Sequence, residues 1–304
     1  MTVHARFVAL TALLLAFALP ARAALHVLAC EPEWGALTQE LAGPLVDVSV
    51  ATTALQDPHR IQARPSLIAR ARNADLVVCT GAELEIGWLP VLLQQSGNAR
   101  VQPGQPGNFA AADDVRKLEV PTRLDRAEGD VHAAGNPHIQ TDPRSIAAVA
   151  PALAQRLQQL DPAHAADYAR RAGEFERRWR EAMAHWAAEG APLRGVPVVS
   201  QHKAFAYLYD WLGLKEVAVL EPKPGVEPTV SHLQEVQAAL KATPARMVVY
   251  AAYQDSRPSD WLSKNVGIPA VKLPFTVGGT PGAKDLFGLY DDTLARLLAA
   301  KGQP

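Results

Sequence analysis

An excess of charge of either sign is missing from this sequence. Its 30 Lys and Arg and 31 Asp and Glu nearly cancel, for a formal charge of −1. Binding a phosphate backbone needs a strong positive field, so nucleic acid is not expected as a partner. Long apolar runs are also missing after the N-terminal segment; no later stretch matches the about 20 residues that span a bilayer. There is no internal repeat at the residue level and no low-complexity tract. Cysteine is down to two residues, Cys30 and Cys79. Each ends a short apolar run, and in an oxidising compartment such a pair forms a disulfide. Two buried free thiols are the alternative.

What is present begins with an export signal. Phe7 to Leu19 is apolar, preceded by Arg6 and followed by Pro20, and Ala21-Arg22-Ala23 is a small-x-small cleavage pattern. This predicts a secretory signal peptide over 1–23, cleaved near Ala23, and a mature chain in the periplasm. Cleavage removes Arg6 and Arg22 and no acid, so the formal charge moves from −1 to −3. Val27-Leu28-Ala29-Cys30 loosely resembles a lipoprotein cleavage box, but His26 and the polar residues before it place that box badly.

The mature chain alternates strand-like and helix-like pieces. Strands are expected at 25–29, 46–50 and 75–78, with helices at 34–42, 65–72 and 86–94. Such interleaving implies a parallel sheet covered on both faces. Residues 102–137 are rich in Gly, Pro and Asp and read as a long excursion with little regular structure. A helix is expected over 143–160. Asp161-Pro162 then suits the cap and first turn of another, running to about Glu189. At 1.5 Å per residue that second helix is roughly 40 Å long. After Gly190 the alternation resumes, with strands at 196–200, 217–220, 247–250 and 270–273. The predicted class is α/β, with an N-terminal lobe over 24–160, a linking helix over 161–189 and a C-terminal lobe over 190–304. Each lobe holds a mainly parallel sheet flanked by helices.

Nine histidines occur, and His4 leaves with the signal. His164, His185 and His232 fall in polar helical stretches and read as solvated. His26 lies in the first strand and reads as structural. His59 sits in Asp57-Pro58-His59, His138 in Asn136-Pro137-His138 and His202 in Ser200-Gln201-His202. These are loop contexts at or near the carboxyl ends of strands, where open parallel sheets bind ligands. Together they point to one shared ligand, and imidazoles favour zinc over calcium or magnesium. His132, in Asp130-Val131-His132, reads as a surface residue of the excursion, or else as a residue that passes a metal toward His138. Asp57 and Asp142 are expected as acceptors that orient imidazoles, or else as turn and cap residues.

These motifs resemble the zinc and manganese solute-binding proteins of ABC transporters, the cluster A-I family. The matching residues are Asp57-Pro58-His59, Pro65-Ser66-Leu67-Ile68, Asn73-Ala74-Asp75-Leu76-Val77-Val78 and Gly81-Ala82-Glu83-Leu84-Glu85 with Trp88. Further on come Asn136-Pro137-His138-Ile139, Asp142-Pro143-Arg144, Val198-Val199-Ser200-Gln201-His202 with Ala204-Phe205 and Tyr207, and Glu227-Pro228-Thr229 to Leu233. The resemblance covers nearly the whole mature chain, in order. It implies a C-clamp of two lobes joined by a rigid helix, with the metal in the cleft between them. The family's three histidine positions map onto His59, His138 and His202, and histidine at the third goes with zinc.

The resemblance further implies a zinc-transport component, not an enzyme, that delivers Zn2+ to an ABC transporter permease in the inner membrane, as a monomer. Where many members place a carboxylate ligand, this chain has Val277. Asp285 is the nearest substitute, though it also suits the cap of the last helix, and water is the other candidate. A zinc hydrolase or hydratase with three histidines, and a solute-binding protein for manganese or another ligand, are the competing readings.

Overall fold

The computed structural model describes residues 24–123, 129 and 131–302; the expected signal peptide lies outside them. Leu25–Ala29 (β1) and Val46–Val50 (β2) are rich in aliphatic and β-branched residues, which suit a pleated, half-buried surface. Leu76–Cys79 (β3) is buried along its whole length, as a strand covered on both faces must be. Asn108–Ala110 (β4) completes a four-stranded parallel sheet in the order β2-β1-β3-β4. Pro197–Ser200 (β5), Lys215–Val219 (β6), Met247–Ala251 (β7) and Ala270–Leu273 (β8) form a second parallel sheet in the order β6-β5-β7-β8. The two orders coincide when displaced by four strands, a repeat of topology that residue identities hide.

The excursion at 102–137 therefore carries a strand. β4 pairs with β3 from Val77 opposite Asn108 to Cys79 opposite Ala110. Three residues are too few to show a period; the sheet edge supplies the order. Cys30, just after β1, is bonded to Cys79 at the end of β3. The disulfide ties adjacent strands at their carboxyl ends.

Pro32–Ala42 (α1), Pro65–Asn73 (α2) and Leu89–Ser96 (α3) each start beside a proline, whose fixed φ suits a first turn. Pro143–Leu160 (α4) is capped by Asp142, which accepts from the Arg144 backbone N–H at 2.8 Å. The chain then makes one 3-10 turn at Pro162–His164 before Ala165–Gly190 (α5). The long helix thus begins about one turn later than Asp161-Pro162 suggests. Ala206–Leu212 (α6), Val230–Ala239 (α7), Arg257–Val266 (α8) and Leu286–Lys301 (α9) follow.

The buried stripe of α5 holds Tyr168, Phe175, Trp179 and Trp186. Trp179 donates from its indole N–H to the Pro143 carbonyl at 2.9 Å, and Trp186 donates to Asp291 Oδ1 at 2.6 Å. The first partner opens α4 and the second lies on α9, so the helix is fastened to both halves. One apolar cluster runs through both, from Val27 and Leu76 past Trp179 to Val198, Val249 and Tyr290.

Candidate metal centre

His59 follows β2, His138 precedes α4 and His202 follows β5. The fold gathers them at one point in the cleft. Their ring centroids are 5.3 Å apart for His59–His138, 5.3 Å for His138–His202 and 5.9 Å for His59–His202. One nitrogen from each ring lies within 4.8 Å of the others.

Each ring is aimed by a hydrogen bond at Nδ1. Asp57 Oδ1 accepts from His59 Nδ1 at 2.7 Å and from the His59 backbone N–H at 3.0 Å. Asn136 Oδ1 takes the same two bonds from His138, at 2.8 and 3.0 Å. Glu221 Oε2 accepts from His202 Nδ1 at 2.7 Å and from the Gly225 N–H at 2.8 Å. A carboxylate oxygen can only accept, so the proton sits on Nδ1 of His59 and His202. The Asn136 amide is fixed in its turn, because its Nδ2 donates to Glu119 Oε2 and to the Lys203 carbonyl, both at 2.9 Å. Its oxygen therefore faces His138, which fixes that tautomer too. All three Nε2 atoms are buried and make no hydrogen bond.

Burial, reinforced by the nearby His202, His59 and His132, holds the His138 imidazole well below the ordinary histidine range, so it is neutral at pH 7. Burial pushes the Asp57 carboxyl up, but its hydrogen bonds from the His59 ring and backbone, with the charge of Arg60, outweigh that and leave it below its usual value. The Phe275 ring packs edge-on against His138 at 5.4 Å. A cavity of about 270 Å³ opens onto His138 and His202, and another of about 170 Å³ onto His59, His202 and Glu221.

Asp285 does not join the histidines. It is exposed and its Oδ1 accepts from the Gly288 N–H at 2.8 Å as the cap of α9; the free N–H groups of a helix start draw it there. Asp142 likewise caps α4 and pairs with Arg144, so its role is the turn-and-cap one. Val277 is packed on the core. His132 is not remote, its ring lying 5.5 Å from that of His59. Asn136 and Glu221 are the orienting groups that sequence reading passed over. Asn136 stands two residues before His138, as Asp57 does before His59, a signal that was there to read. Glu221 reaches His202 only because β6 lies beside β5, with the Glu221 N–H bonded to the Gln201 carbonyl at 3.0 Å.

Comparison with known proteins shows the family and the fold. The sequence model of the family described as ZnuA, zinc-uptake complex component A, periplasmic, matches residues 27–300. The zinc-binding lipoprotein AdcA of Streptococcus pneumoniae is 25% identical over 243 residues, covering 76% of this chain and 46% of AdcA. The chain thus spans about half the length of that relative. The manganese ABC transporter substrate-binding lipoprotein PsaA of the same species is 22% identical, over 79% of this chain and 76% of PsaA. A crystal structure of ZnuA superposes with a TM-score of 0.76 at 20% identity, covering 92% of this chain and 100% of that one, which shows a shared fold of two parallel-sheet lobes.

Proposed function

The chain belongs to the periplasmic component A family of zinc-uptake complexes, and on that premise we propose that it captures Zn2+ with His59, His138 and His202 and hands it to an inner-membrane ABC permease. The observation that carries this reading is the set of three Nε2 atoms, buried, converging and without hydrogen bonds. A buried polar atom left unpaired costs about 1–3 kcal/mol, and three together are explained by a cation that takes all three lone pairs. Neutral imidazoles suit zinc, whereas calcium and magnesium prefer shells of oxygen. His202 is the residue that favours zinc over manganese, since an oxygen ligand there would harden the site.

Zinc is cargo here, and the reading is capture without catalysis. The carboxylates of Asp57 and Glu221 are engaged in turning imidazoles, which supports a binding role over that of a general base. Leu55 and Ile86 on one side, and Val226 and Val230 on the other, are large apolar residues exposed to solvent. All four lie in segments that follow the carboxyl ends of strands, the edge on which the histidines also sit. Such a surface suits a permease that contacts both lobes at once. The expected export to the periplasm places the chain where that partner is reached.

Zinc titration of metal-stripped protein against a competing chelator tests the assignment. The parent is expected to bind one Zn2+ per chain in the cleft and to prefer it to Mn2+. His202→Ala is expected to weaken binding by more than the roughly 10–100-fold that follows loss of an orienting partner. Equal affinity in parent and variant would end the assignment.

A further inference from the structure

We propose that His132 is the fourth ligand of the same cation, completing a site of four imidazoles; this deepens the zinc-capture reading and rests on it. A zinc site with three protein ligands leaves a position open to water, whereas a closed tetrahedral site has four. Among the described residues no carboxylate groups with the three histidines, and Val277 occupies the place where the family resemblance leads one to expect one. A further imidazole stands beside them. On a tetrahedral zinc with bonds of about 2.0–2.1 Å, ring centres stand about 5 Å apart. The three buried histidines already have that spacing, at 5.3, 5.3 and 5.9 Å. His132 is 5.5 Å from His59 and 6.5 Å from His138; it stands outside the group of three and would close on His138 and His202 when the metal binds. It lines the cavity shared by His138 and His202 and also the one shared by His59.

The sequence carries a second, independent mark. Of the nine histidines, three have Asp or Asn two residues earlier: Asp57-Pro58-His59, Asp130-Val131-His132 and Asn136-Pro137-His138. In His59 and His138 that residue accepts from both the backbone N–H and Nδ1, and so turns Nε2 toward the centre. His132 has the same device written before it, and none of the five histidines read as solvated, structural or lost with the signal has it. The chain after His132 is also anchored. The Ala133 N–H donates to Glu83 Oε2 at 2.5 Å. Ala82 and Glu83 hold φ of 48° and 68°, a left-handed pair without glycine. Such a backbone persists only where the surroundings enforce it, and it presents Glu83 to the histidine-bearing segment.

X-ray absorption at the zinc edge decides the matter, because imidazole rings give a countable scattering signature. The zinc-loaded parent is expected to show four imidazoles. His132→Ala is expected to show three and one oxygen, with a zinc Kd raised about 10-fold or more. Its metal-free melting temperature is expected to match the parent, since His132 is only half-buried in a loop. Three imidazoles in the parent, or an unchanged Kd in His132→Ala, would overturn the proposal while leaving zinc capture intact. A parent that binds no zinc would overturn both, and the absent absorption edge distinguishes that result.

Discussion

At the scale of single residues, the site is made by what the histidines do with the nitrogen that faces away from it. An imidazole offers one lone pair when neutral, and the partner of the other nitrogen decides where that lone pair points. Asp57, Asn136 and Glu221 supply those partners at 2.7–2.8 Å. Replacing Glu221 with Gln keeps the size but allows the amide to present N–H instead of oxygen to His202. Glu221→Gln and Asp57→Asn are each expected to lower zinc affinity about 10–100-fold with every histidine in place. Asn136→Ala is expected to cost at least as much, because its amide also joins the His138 loop to the Lys203 carbonyl beside His202. A competition titration measures all three. Unchanged affinity in Glu221→Gln would show that the ring of His202 is held by packing alone.

At the scale of elements, the disulfide is the feature with the clearest energetic consequence. It closes a loop of 49 residues, and chain entropy puts the stabilisation from such a loop at about 4 kcal/mol. The Cys30→Ser/Cys79→Ser double variant is expected to unfold at lower denaturant, with a loss of about 2–5 kcal/mol; a midpoint equal to that of the parent would show that the packing of β1 on β3 suffices. The elements legible in the sequence are those with strong local patterns. β1, β2 and β8 and the helix α4 begin and end where alternation, proline and capping residues place them. β4 was illegible because its order comes from the edge of β3. The cleft histidines were legible from their loop contexts, but Glu221 was not, since strand adjacency across β5 and β6 leaves no local trace.

At the scale of the whole molecule, a buried acidic cluster joins the two halves and gives stability an unusual pH dependence. Glu33 on α1 accepts from the Thr276 hydroxyl, which follows β8. Behind it Glu31 and Glu85 are also fully buried, with Glu85 accepting from the Thr80 and Gly81 N–H groups. Burial pushes Glu33 and Glu85 each up to about 7. Burial, with the charges of Glu85 and Glu33 beside it, carries Glu31 well above the usual range. Tyr290 faces the same cluster and is raised by its own burial. An acid whose folded pKa is raised binds more protons folded than unfolded, so its contribution is fully present below about pH 4.5 and is lost as pH rises through 7. A shift from 4.5 to about 7 corresponds to about 3 kcal/mol for a group acting alone. Zinc would mask the effect, because the metal competes with protons for imidazole in the opposite sense. Chelator-treated protein is therefore expected to melt at lower temperature at pH 8 than at pH 6. Glu33→Gln, which keeps an acceptor for Thr276 and removes the charge, is expected to flatten that slope. Stability that instead rises from pH 6 to pH 8 in metal-free protein would mean that Glu33 is ionised in the fold and that its bond from Thr276 outweighs its burial.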